Sequence, residues 1–174
     1  PFLIMLHATG FLPWLWHPIA RHLKDDYRII APFLCSHRVA EPEAGGLSWR
    51  RLAQDLVALC RLIGVEQPYV VGHSMGGAIP LIASCALGLS AEKMILIEPI
   101  IMPRELYGLP ARVSDQPLAR KAIRRRNSWK NTQEVIEYLK SKPFFQSWDE
   151  ETLLLYARYG FVADDNGGIC LSCA

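Results

Sequence analysis

Two hydrophobic rhythms take turns along the chain. "PFLIML" is a short unbroken apolar run, the pattern of a strand covered on both faces. "HATGFLPW" is a loop with Gly and Pro. From about Trp14 to Leu23 the spacing becomes helical: Trp14, Ile19 and Leu23 are predicted to face the core, Arg21 and Lys24 to face water. "YRIIAPF" predicts a second strand and "EPEAGG" a loop. Ser48 opens a predicted helix to about Ile63, with Leu52, Leu56, Leu59 and Ile63 at three- and four-residue steps and Gly64 as its stop. "PYVVG" predicts a third strand, "MGGAIPLIASCAL" a helix, and "KMILIEPI" a fourth strand closed by Pro99. Strand and helix alternate throughout, which predicts an α/β fold: a parallel sheet with helices on both faces.

The rhythm changes after about Pro103. Helical spacing recurs around residues 117–127, 132–141 and 149–158, with "SKPFFQSW" between the last two, and no strongly β-like run appears until "GICLSC". The expected division is a core over residues 1–103, a helical cap or lid over 104–163, and a return toward the core over 164–174. The chain begins inside a strand and stops where a cap should hand back to a sheet, so the expectation is a sheet incomplete at both ends. An exposed sheet edge predicts self-association.

Composition narrows the picture only a little. The 174 residues suit one domain, and a net charge of +2 gives no ground for a nucleic-acid partner. Five cysteines without framework spacing suggest a reducing compartment, hence a cytoplasmic location. Cys170 and Cys173 have metal-like spacing but no second ligand pair, so no metal site is expected. No apolar run is long enough to span a bilayer, so no integral membrane segment is expected. Oligomeric state is not legible.

The chemistry concentrates in "YVVGHSMGG". Gly72-His73-Ser74-Met75-Gly76 is a G-x-S-x-G pattern between a predicted strand and a predicted helix. A sharp turn there lifts the serine hydroxyl above the sheet edge. Side chains two residues either side would collide, so Gly72 and Gly76 are required. The following helix aims its N-terminus at the site, and the Met75 N–H can donate to a developing oxyanion. The ring of His73, adjacent to the serine, should point away from its hydroxyl.

With these features the chain resembles the α/β-hydrolase family over most of its length. "LIMLHATGF" is similar to the family's strand and oxyanion loop, with His7-Ala8 where His-Gly is common. The resemblance makes the Thr9 N–H the second oxyanion donor, with Phe11 the second choice. "LSWRRLAQDLVALCRLIGVEQPYVVGHSMGG" resembles the family throughout, Asp55 included, and the segment from "YLKSKPFFQSW" onward resembles a helical cap. Two departures stand out. "PFLCSHRVAEP" replaces the usual Asp-x-x-Gly-His-Gly, keeping only His37, and Pro80 lies within the elbow helix, where it should cause a kink.

The resemblance implies a Ser, acid, His triad in that chain order. All five histidines (His7, His17, His22, His37 and His73) precede Ser74. His7 suits a structural role in the loop, and His17 and His22 suit a helix surface. His37 is the substitute base to consider. Glu98 ends the fourth strand, where a minority of the family carries its acid; pairing with a cap arginine is the alternative. Asp164 and Asp165, in "DDNGG", read as solvated. The expectation is a serine hydrolase of esterase or lipase type, nearly inactive without a base, or else a non-catalytic protein using the same pocket for a ligand. No cofactor is implied.

The cap carries a basic run, Arg120, Lys121, Arg124, Arg125, Arg126 and Lys130. A solvated helix face is its ordinary reading; an anionic substrate group or a membrane surface is the alternative. Trp129, Phe144, Phe145, Trp148 and Tyr156 suit packing onto the sheet domain and an apolar pocket for an ester substrate. A serine at the elbow argues against the haloalkane dehalogenases and epoxide hydrolases, which use Asp there.

Overall fold

Four strands, β1 (Phe2–Leu6), β2 (Arg28–Ile30), β3 (Tyr69–His73) and β4 (Lys93–Ile97), form one sheet in the order β2-β1-β3-β4, every pair parallel. The coordinates are a computed structural model, and the residues described are 1–34, 48–106 and 124–172. The α/β architecture expected from the alternating pattern is therefore present. Helix α2 (Trp49–Leu62) and the elbow helix α3 (Met75–Leu87) cover one face, where Ile4, Leu6, Val70 and Ile79 are buried among Leu52, Leu56 and Cys60. Helix α1 (His17–Leu23) lies on the other face, against Leu3, Met5, Ile29, Tyr69 and Val71.

Local sequence explains how α2 ends. Gly64 takes φ +68°, the Val65 N–H reaches the Cys60 carbonyl at 2.8 Å, and the Gly64 N–H reaches that of Arg61 at 3.2 Å. This is a Schellman stop, which a left-handed glycine makes possible. Ser48 sits at the N-cap, although its side chain makes no capping bond. Helix α3 runs on through the fully buried Pro80, which deprives the Gly76 carbonyl of its usual helical donor.

One predicted face is corrected. Trp14 and Ile19 are 40% and 49% exposed, whereas Trp16 is buried with Ala20 and Leu23 packed near it. The cause is a 3-10 turn at Pro13–Trp16 ahead of α1. Its three-residue repeat shifts the register that a single α-helix from Trp14 would have had.

The second region begins near Trp129. Helices α4 (Thr132–Lys140), α5 (Pro143–Gln146) and α6 (Glu150–Tyr159) precede an antiparallel hairpin of β5 (Phe161–Ala163) and β6 (Ile169–Leu171). Asn131 and Asp149 cap α4 and α6 through 3.0 and 2.9 Å bonds to the Glu134 and Thr152 N–H groups. Residues 164–168 form the turn of this hairpin and Ile169–Leu171 its second strand. Leu171 is buried among Trp129, Val135, Leu139 and Tyr156. Asp164 is not simply solvated: its Oδ1 accepts from the Asn166 and Gly168 N–H groups at 2.9 and 2.8 Å, which holds the turn. Among the described residues, no helix is long and apolar enough to cross a membrane.

Candidate active site

Ser74 lies where β3 becomes α3, with φ 57° and ψ −119°. A β-carbon makes that conformation costly, on the order of 1–3 kcal/mol, so its surroundings must enforce it. The Ser74 N–H donates to the Ile97 carbonyl at 3.0 Å. The Ser74 carbonyl accepts from Gly77, Ala78 and Ile100 at 3.0, 3.2 and 3.3 Å. The glycines complete the turn: a β-carbon on Gly72 would run into the Gly76 carbonyl, and one on Gly76 into the Leu6 and His7 carbonyls. Met75 opens α3, so its N–H has no acceptor within the helix.

Pairing sets what stands beside the serine. Leu6 is opposite Gly72, and His73 is opposite Ile97. The loop after β1 and the end of β4 therefore flank the elbow at one edge of the sheet. His7 is 2% exposed; its Nε2 accepts from the Leu34 N–H at 3.0 Å, and its Nδ1 lies 2.9 Å from the Ala8 carbonyl. These partners fit a neutral ring carrying its proton on Nδ1. The histidine thus ties the loop to the segment that follows β2. Ala8 also accepts from the Phe11 N–H at 3.1 Å, which commits that donor to the turn. Thr9 is exposed at the corner, before Gly10 at φ +76°.

Glu98 follows β4, next in register to Ser74. It is exposed and has φ 43°. Ser74 and Glu98 are the two non-glycine residues with positive φ among those described, and they are neighbours. His73 shares a strand face with Tyr69 and Val71, and its ring lines a 120 Å³ cavity with His7, Ala8, Phe11, Leu15, Trp16 and Ile19. His17 and His22 are exposed on α1, and His17 Nδ1 lies 3.9 Å from Glu151. His37, Arg120, Lys121 and Cys173 lie outside the described residues.

Sequence reading missed how the loop after β1 joins the second region, helices α4–α6 and the hairpin, where a cap was expected. Leu12 is fully buried in the core of that region, among Val135, Leu139 and Tyr156. Phe11 contacts Phe144, Trp148 and Tyr156 at ring-centroid distances of 6.4, 5.5 and 5.7 Å. The Tyr156 hydroxyl donates to the Gly10 carbonyl at 3.4 Å, Trp14 stacks on Tyr159 at 4.2 Å, and Arg21 pairs with Glu151 at 2.6 Å. The mix of Phe, Leu and Trp in "GFLPWLW" was a signal, since so apolar a loop needs something to cover it.

A parallel sheet with a strained serine elbow at its edge is a hydrolase architecture, and the comparisons agree. The model of the alpha/beta hydrolase family matches residues 3–169, so the chain belongs to that family. It is 34% identical over 82 residues to the magnesium-chelatase 30 kDa subunit of Rhodobacter capsulatus, covering 47% of this chain and 29% of that protein. It is 28% identical over 109 residues to a putative esterase/lipase of Haemophilus influenzae, covering 62% of this chain and 37% of the other. The structure of E-2-(acetamidomethylene)succinate hydrolase superposes with a TM-score of 0.79 at 18% identity, over 100% of this chain and 61% of that one. The chain thus matches about a third of the length of these curated relatives and about 60% of that solved structure. Their differing names show that this fold alone does not set the reaction.

Proposed function

We propose that this chain carries the nucleophile and oxyanion hole of a serine hydrolase acting on carboxylic esters. The observation that carries the reading is Ser74 held at φ 57°, ψ −119° between two glycines that no larger residue could replace. The Ser74 Oγ attacks the ester carbonyl carbon and gives its proton to a base. The carbonyl electron pair moves onto oxygen, facing the Met75 and Thr9 N–H groups. Collapse re-forms the carbonyl, expels the alkoxide with a proton from the base, and leaves an acyl-serine that water cleaves. Glu98, strained beside Ser74, is the candidate acid. The Phe11 contacts with the cap favour an apolar substrate arm.

The base must come from outside the described residues. His7 is committed to Leu34 and Ala8, His73 lies on the α1 face, and His17 and His22 are on the helix surface. This favours one second reading, a ligand-binding protein that keeps the elbow without turnover. Fluorophosphonate labelling of the full gene product separates the two. Labelling that disappears in Ser74→Ala supports the nucleophile. Labelling that persists in Ser74→Ala rules it out, and no labelling at all supports the ligand-binding reading.

A further inference from the structure

The loop after β1 hangs on a series of hydrogen bonds that begins in the second region. Tyr156 is buried on α6, and its hydroxyl reaches across to the Gly10 carbonyl at 3.4 Å. The other end of that peptide group is the Phe11 N–H, which donates to the Ala8 carbonyl at 3.1 Å. The other end of the Ala8 peptide group is the Thr9 N–H. Among the described residues it has no acceptor. In a trans peptide the N–H points opposite to the C=O. Holding the two carbonyls therefore aims the Thr9 N–H, the candidate oxyanion donor. His7 Nδ1, 2.9 Å from the same Ala8 carbonyl, holds the second peptide from the sheet side. The glycine that ends α6 leaves room for the tyrosine: a β-carbon on Gly160 would stand 3.2 Å from both the Tyr156 ring and Leu12.

We propose that Tyr156 is a positioning residue for the oxyanion hole, acting through the Gly10–Phe11 and Ala8–Thr9 peptide groups; this deepens the hydrolase reading above and rests on it. Each bond accepted by a peptide carbonyl makes the N–H of the same group a better donor, so links in series reinforce one another. Negative charge developing on the substrate oxygen draws on the whole series. The Tyr156 link, at 3.4 Å the longer of the two, has room to shorten at that moment. The ring has a separate role. It packs against Phe11, Phe145 and Phe161 at centroid distances of 5.7, 5.8 and 5.8 Å, contacts that a phenylalanine would keep. The hydroxyl is therefore the part whose loss the reaction registers.

Tyr156→Phe in the full gene product removes the hydroxyl alone. With p-nitrophenyl butyrate as substrate, kcat is expected to fall about tenfold with KM unchanged. Loss of a direct oxyanion donor would cost about a hundredfold or more. The thionoester of the same acid sharpens the reading, since sulfur does not fit donors set for oxygen: the preference for oxygen over sulfur should narrow in Tyr156→Phe. Tyr159→Phe, whose ring stacks on Trp14, should change neither quantity. An unchanged kcat, or a rise in KM alone, would overturn the proposal, because a ring that only packs or only binds substrate gives those results. Amide NMR reads the series without turnover. The Phe11 and Thr9 amide protons should move upfield in Tyr156→Phe while those of Ile4 and Val70 stay; unmoved Phe11 and Thr9 amides would overturn the proposal. The Val135 and Leu139 amides report whether the variant keeps its fold. If it does not, 3-fluorotyrosine at position 156 decides: its hydroxyl is the stronger donor, so the Phe11 amide proton should move downfield, and no movement would overturn the proposal. If the unaltered protein takes no fluorophosphonate label and cleaves no ester, the nucleophile reading falls while the amide shifts still decide the series. A labelled protein with unmoved amides sinks the series alone.

Discussion

On the sheet side of the site, the elbow depends on side chains that are absent. Gly72 and Gly76 let β3, α3 and the end of β1 approach closer than any β-carbon permits. On the side of the helical second region, the expected cap, the loop depends on side chains that are large: Phe11 and Leu12 are sunk among Trp148, Tyr156, Val135 and Leu139. The first arrangement is rigid because backbone meets backbone. The second rests on apolar burial and ring packing, which can loosen by degrees. Ser74 and Thr9 therefore belong to walls with different mechanics, although both stand at one sheet edge.

The sharpest challenge to that contrast is Gly76→Ala. Its methyl group would meet the Leu6 and His7 carbonyls, neither the end of a flexible side chain. The expected cost is about 3 kcal/mol or more, enough to abolish cooperative urea unfolding in a marginal domain. Gly77→Ala is the internal control. Its methyl group would stand 3.1 Å from the Gly72 carbonyl and the Pro99 Cβ, a tight contact that small shifts relieve. Equal stability of the two variants would show that the elbow is not held by close backbone approach.

Leu12→Ala probes the other wall. Leu12 is fully buried, and truncating such a leucine costs about 2–5 kcal/mol. The loss should fall on the cap: faster hydrogen exchange at Val135 and Tyr156, with Ile4 and Val70 in the sheet changing little. If the sheet amides speed up equally, the two walls unfold as one unit and the contrast fails.

These residues also show what the sequence could carry. The elbow was legible because its physics is local: two glycines, a serine, a strand before and a helix after. Gly64 was legible as the end of α2 for the same reason. The face of α1 was misjudged because a 3-10 turn resets the register, and nothing in "LPWLWHP" separates three residues per turn from 3.6. Of the hairpin, β6 lies in the β-like run "GICLSC", whereas β5 has three residues, too few to show a period.

The smallest expected effect concerns acid. The Glu134 carboxylate accepts from the Lys130 N–H at 2.6 Å and from Arg126 at 2.6 Å, and these bonds, the Lys130 one foremost, hold its pKa below the ordinary 4.5. The bonds to Thr152 do the same for Asp149, below 3.8. Both groups belong to the second region, Glu134 in α4 and Asp149 at the N-cap of α6. A carboxylate whose pKa is lower folded than unfolded stabilises the fold fully above its unfolded value, and that stability drains away as pH falls through the folded one. Acid below about pH 4.5 should therefore loosen the cap before the sheet. Glu134→Gln removes one of the two titrating groups, so its stability should fall less steeply with pH in that window. Trp129 fluorescence during acid titration reads the difference, since Arg126, the partner of Glu134, stands 5.3 Å over that ring. The effect is modest because solvent reaches Glu134. Coincident slopes for the two proteins would show that the Glu134 bonds contribute nothing to the stability of this region.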